Sequence, residues 1–170
     1  MTGMTGRAAL LVVFAVFTMQ AGALSRAVAH EFKAGEITVQ HPFSRVTPKG
    51  VKTGAAYMTI VNGGTSPDRL IGATTEIAER AEIHRTTTTD NGVMRMRLQP
   101  DGIAIPAAGE IKLQPTSEYH IMLVGLSEPL QEGMKIPLVV KFEKAGSVAV
   151  ELAVEALRKR PDAPPSHGDH

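Results

Sequence analysis

The chemistry of this 170-residue chain is concentrated in the stretch Tyr119-His120-Ile121-Met122. Residues i and i+2 of an extended strand face the same way, so His120 and Met122 would offer an imidazole and a thioether to one site. A second segment repeats the pattern: His84 precedes a polar stretch, and Met94 and Met96, again two apart, follow it. Thioether sulfur is a soft, neutral donor and imidazole a borderline one. The combination suits Cu(I) far better than calcium, magnesium or manganese, which take oxygen. The ion expected from these residues is Cu(I).

The elements that must position these side chains read as strands. Short apolar and β-branched runs recur at 37–40, 55–62, 69–74, 81–85, 93–98, 111–114, 119–124, 136–142 and 148–156, with no long stretch of helical period. Asn62-Gly63-Gly64, Asp90-Asn91-Gly92, Asp101-Gly102, Ala108-Gly109 and Ala145-Gly146 punctuate them. An all-β, antiparallel sandwich or barrel follows. Within it, Glu82 and His84 share the polar face of their strand, next to a polar hairpin loop that includes the threonine run 86–89. His84 is therefore expected to be accessible. Met94, Met96 and Leu98 alternate with Arg95 and Arg97, which by pattern turns both methionines toward the core, the ordinary place of a strand methionine. Met58 and Met134 are read as core for the same reason. The 119–124 run is apolar on both faces and closes at Gly125, so His120 is expected in a central strand. An ion at the end of the sandwich, where the loop after His84 meets the 119–124 strand, would reconcile these faces. His41, before Pro42, reads as a strand-end or structural residue.

Composition narrows the setting. Sixteen glycines and 11 prolines against no tryptophan, 2 tyrosines and 5 phenylalanines fit many short elements and frequent turns. Residues 1–29 read as a secretory leader, with Arg7, an apolar core from Ala8 to Met19, and Ala27-Val28-Ala29 as a small-x-small cleavage site; Ala21-Gly22-Ala23 is a competing one. Export to the periplasm is the consequence. Cleavage after Ala29 removes two of the 18 basic residues against 17 acidic ones and leaves a net charge near −1, which gives no footprint for nucleic acid. The chain has no cysteine, so it stands without disulfides and offers no thiolate to a metal. Residues 158–170, with Pro161, Pro164 and Pro165, lack the apolar content to pack and read as a flexible tail.

The same residues carry a resemblance. His84, Met96, His120 and Met122 meet the histidine, methionine, His-x-Met pattern of the PCuAC family of periplasmic copper chaperones. The surrounding text resembles it too, at His41-Pro42-Phe43-Ser44-Arg45, Gly54-Ala55-Ala56-Tyr57-Met58, Pro67-Asp68-Arg69-Leu70, Ala81-Glu82-Ile83-His84, Gly92-Val93-Met94-Arg95-Met96-Arg97 and Phe142-Glu143-Lys144-Ala145-Gly146. The resemblance covers most of the mature chain. It implies that residues 30–157 form a cupredoxin-like Greek-key β-sandwich, a monomer that binds one Cu(I) through His84, Met96, His120 and Met122. It further implies delivery to the copper-bearing subunit of a cytochrome oxidase, with a Sco-type, thioredoxin-like assembly protein as a further partner. Met94 stays open as a packing neighbour or alternate ligand. Two departures stand out: Phe43 occupies a position where many members have tryptophan, and the interval from Met96 to His120 is slightly longer than usual.

Three terminal histidines offer more. Cleavage after Ala29 would place an α-amino group and an imidazole on His30, a chelate for Cu(II), and His167 and His170 form another pair for Cu(II) or zinc. Incidental solvated residues are the plainer reading of all three. Competing functions are periplasmic copper sequestration or uptake, a copper enzyme with an N-terminal His30 brace, and a metal-free adhesion-type sandwich. No nucleophile elbow, zinc-protease helix motif or phosphate loop is present, and the chain reads as a non-enzymatic carrier.

Overall fold

A computed structural model describes residues 31–156; the leader and tail expected at 1–29 and 158–170 lie outside the described residues. Eleven strands and no helix occur within them: β1 (Glu31–Ala34), β2 (Ile37–Arg45), β3 (Thr53–Asn62), β4 (Asp68–Thr74), β5 (Ala78–Thr88), β6 (Met94–Leu98), β7 (Ile103–Ile105), β8 (Gly109–Leu113), β9 (Tyr119–Leu126), β10 (Lys135–Phe142) and β11 (Ser147–Glu155). The strand order is β6-β5-β9-β8-β3-β2-β11-β10-β4-β7, and a β4–β5 pairing at Ala73 and Ala81 closes the sheet on itself. Pairing is antiparallel apart from β2–β11 and one residue pair of β8–β9. The connections from β3 to β4 and from β9 to β10 join strands that are not neighbours. The result is the all-β sandwich that the strand pattern predicts, in the cupredoxin-like Greek-key form that the family resemblance implies.

Period-2 alternation builds the core. Along β11 Val148, Val150, Leu152 and Val154 point inward between exposed or half-buried neighbours, and along β10 Ile136, Leu138, Val140 and Phe142 do the same. Met58 is fully buried and Met134 packs against the same cluster, as expected of both. β1 and β7, of 4 and 3 residues, escape the sequence pattern because so few residues show no period.

Three local departures matter. His41 is not at a strand end: it lies within β2 at φ 48°, where the pairing with β3 shifts register between Gln40 and Phe43. A proline next in sequence, with no N–H to give the ladder, belongs at such a bulge. Gly125 does not close β9 but sits inside it at φ 75°, with its N–H and that of Leu126 both donating to the Lys52 carbonyl. Thr86, Thr87 and Thr88 are strand and not loop, because β5 extends to Thr88 and pairs Thr86 with Met96 and Thr88 with Met94. The turn is confined to Thr89-Asp90-Asn91-Gly92, closed by the Gly92 N–H donating to the Thr89 carbonyl at 2.8 Å.

Candidate metal site

β5 and β9 are paired so that His84 lies directly opposite His120, Ile83 opposite Ile121 and Glu82 opposite Met122. Ile83 and Ile121 are core, so the two histidines, Glu82 and Met122 share the opposite face of the sheet. The imidazole rings stand 6.0 Å apart between centroids. Beyond β5, β6 carries Met96 opposite Thr86 and Met94 opposite Thr88. Because His84, Thr86 and Thr88 share a face, both methionines fall on the histidine side, Met96 one same-face step nearer to His84 than Met94.

A pocket of about 540 Å³ opens on this face, lined by Met94, Met96, His120 and Met122 together with Ala55 and Tyr57 of β3 and the 114–118 turn. The turn is pinned by Ser117, whose hydroxyl accepts the Gln114 N–H at 2.6 Å, and by the Thr86 N–H donating to the Glu118 carbonyl at 2.7 Å. Those bonds fix where β9 begins and hence where His120 stands. His84 is beside the pocket rather than in its lining.

Two expectations about exposure are reversed. The sequence pattern puts His84 at the accessible rim and the strand methionines in the core. The His84 side chain is 17% exposed, whereas Met94 is 72% and Met96 54% exposed. For the methionines, β6 is the terminal strand of the order and all five of its residues are exposed, Arg95 and Arg97 on one face and Met94 and Met96 on the other, so neither face is packed against the core. His120 is 8% exposed, in keeping with a central strand.

The hydrogen bonding of the two rings is incomplete. His84 Nδ1 and His120 Nε2 are buried and have no partner. Such groups are costly unless something else satisfies them. Burial pushes the His120 pKa down, and the neighbouring His84 pushes it further, so His120 is neutral at pH 7. The other side of His84 is satisfied: its Nε2 lies 3.0 Å from Glu82 Oε2. Arg80 Nε donates to Glu82 Oε1 at 2.9 Å; that bond, then the one to His84, holds the Glu82 carboxyl below its ordinary pKa. Sequence reasoning placed Glu82 on the face of His84 but gave it no role; its position two residues before a ligand candidate on a strand was the available signal.

Among the described residues no group of three His, Cys, Asp or Glu side chains converges. On this face the Glu82 carboxylate is taken up by Arg80 and His84, and the donors left beside the two unpartnered histidine nitrogens include the thioethers of Met96, Met94 and Met122, a borderline-to-soft, neutral set. His30 and the His167/His170 pair, candidates for further metal binding, lie outside the described residues.

Residues 37–154 match the model of a family described as "Putative lipoprotein LpqE-like". The chain belongs to the LpqE-like family and carries a PCuAC-type domain. One curated relative, "Putative lipoprotein Lxx21020" of Leifsonia xyli subsp. xyli (strain CTCB07), is 34% identical over 101 residues, 59% of this chain. The match spans 60% of that relative's own length. Among solved structures, the copper-bound PCuAC domain from PmoF2 is 30% identical, with a TM-score of 0.63 over 75% of this chain and 99% of its own. Apo-DR1885 from Deinococcus radiodurans is 27% identical, with a TM-score of 0.56 over 92% of this chain and 98% of its own. The CuI-DR1885 form is 29% identical, with a TM-score of 0.55 over 81% of this chain and 85% of its own.

Proposed function

We propose that this protein is an exported Cu(I) carrier, not an enzyme, that holds one ion through His84, His120, Met122 and Met96 and hands it to a respiratory oxidase copper centre. The observation that carries this reading is the pair of unpartnered buried nitrogens, His84 Nδ1 and His120 Nε2, on facing strands beside a methionine-lined pocket. The copper-bound PCuAC neighbours support the choice of ion. Copper is cargo here, so the site has to release it as well as bind it.

Neutral imidazoles and thioethers leave bound Cu(I) with its single positive charge, and His120, held neutral by burial, gives up no proton when it binds at pH 7. The histidines form the closed side of the site and the exposed methionines the open side. An acceptor's ligands can therefore attach from the β6 side before the histidines let go, which makes transfer associative. Met96 is the assigned β6 ligand because it is nearer His84 in register; Met94 stands one step farther out. The copper-bearing oxidase subunit is the proposed acceptor and a Sco-type protein the proposed intermediary. Export is supported by the leader pattern and by the word lipoprotein in the names of the family and the relative. These 170 residues contain no cysteine, so export is proposed without a cysteine-linked lipid.

The test is an anaerobic competition titration of the mature protein with Cu(I), wild type against His84→Ala/His120→Ala. One tight equivalent that the double variant loses is the expected result. No tight binding by wild type would leave only a sandwich scaffold. Tight binding with no transfer to an isolated oxidase copper domain would replace delivery by sequestration.

A further inference from the structure

Resting on the copper-carrier reading, we propose that Glu82 is the positioning residue of the site: it fixes His84 so that Nδ1 is the nitrogen offered to the ion while His120 offers Nε2. A carboxylate can only accept, so the 3.0 Å contact between Glu82 Oε2 and His84 Nε2 puts the proton of a neutral ring on Nε2. The lone pair is left on Nδ1, the buried atom that has no partner. The other ring is reversed, with Nε2 as its unpartnered nitrogen. Two facing rings would then coordinate through different nitrogens.

Glu82 is itself held. Arg80 Nε donates to Oε1 at 2.9 Å, so both carboxylate oxygens are engaged and point along the strand instead of into the pocket. The three residues alternate along one face of β5, giving a row of guanidinium, carboxylate and imidazole that ends at the candidate ligand atom. An outer carboxylate of this kind orients a ligating imidazole and raises its basicity, and it sets a negative charge near the ion without occupying a coordination position. The Glu82 side chain is 27% exposed and that of Arg80 58%, so neither is a core residue whose loss would unfold the sheet.

The experiment uses ¹⁵N-histidine protein and long-range ¹H–¹⁵N correlation. In the apo wild type His84 is expected as the Nε2–H tautomer. On adding Cu(I), or Ag(I) as a second probe, the large ¹⁵N shifts should fall on Nδ1 of His84 and Nε2 of His120. Glu82→Ala should weaken Cu(I) binding by roughly 10–100-fold, the usual cost of losing such a partner. Glu82→Gln, which keeps an accepting oxygen, should restore part of that loss, and its apo spectrum confirms the fold. A proton on His84 Nδ1 in the apo protein, a metal shift on His84 Nε2, or wild-type affinity and ring shifts in Glu82→Ala would each overturn the assignment. The tautomer is read without metal, so failure of wild type to bind Cu(I) would overturn the carrier reading separately.

Discussion

Asp68 and His120 are equally buried, each 8% exposed, and are treated in opposite ways by their surroundings. Asp68, at the start of β4, accepts three backbone N–H groups: Arg69 at 2.7 Å and Lys144 at 2.9 Å on Oδ1, and Ala145 at 2.9 Å on Oδ2. It ties β4 to the turn between β10 and β11, and its polar capacity is used. His120 keeps a buried nitrogen with no partner, beside a second ring in the same state. A saturated buried polar group is structure; an unsaturated pair that faces soft donors is a place prepared for something else. Burial alone would not have told the two apart.

The sharpest way to break this comparison is to exchange the readouts. His120→Ala should reduce Cu(I) affinity by more than the roughly 10–100-fold of an outer partner while unfolding stays cooperative, because the alanine removes an unsatisfied nitrogen along with the ring. Asp68→Ala should leave Cu(I) affinity unchanged and cost about 1–3 kcal/mol or more in denaturant unfolding, since it strands three backbone donors. If Asp68→Ala lost copper, or His120→Ala lost only stability, the division between the two places would fail.

Acid titration of the apo protein separates them by pH. Burial, and then His84, lower the His120 pKa in the folded state. The unfolded chain therefore takes up the proton first as pH falls below about 6.5. Stability is complete above that value and declines as pH drops toward the folded pKa, where the loss levels off. For Asp68, burial works to raise the pKa, but the three backbone N–H donors outweigh it and hold the carboxyl below its ordinary range. Its contribution is intact above about pH 4 and is lost only as pH falls further. His120→Ala should remove the upper step and Asp68→Asn the lower one in urea midpoints measured across pH.

What could be read from the sequence follows the same division. β10 and β11 were legible because large apolar residues recur at every second position, Ile136, Leu138, Val140 and Phe142 in one and Val148, Val150, Leu152 and Val154 in the other, between small or polar ones for the most part, and the β9 pair His120 and Met122 because a strand's i and i+2 positions must share a face. β6 was legible as a strand but not by face: Met94 and Met96 alternate with arginines as core residues would, and only the folded strand, exposed at all five positions at the end of the order, shows that neither face is covered by core. The depth of His84 was hidden for the converse reason, since its neighbour on β9, His120, comes from distant sequence. Periodicity reports which residues share a face; what covers that face is decided by tertiary pairing.

The exposed strand supplies the finest test of how the open side works. Met94 and Met96 both line the pocket, but they differ in register from His84 by one same-face step, about 7 Å along a strand. Leucine keeps the size and removes the sulfur, and at these exposed positions either change should shift stability by less than about 0.5 kcal/mol. Met96→Leu should weaken Cu(I) binding measurably at equilibrium. Met94→Leu should leave the equilibrium constant near wild type and slow transfer to a competing chelator in stopped flow, because it takes away the outermost sulfur on the path from the histidines to solvent. Equal losses of affinity in both variants would mean that the β6 strand shifts as a unit to ligate through either methionine, and the site's open side would then be a sliding edge rather than one fixed ligand with an outer step.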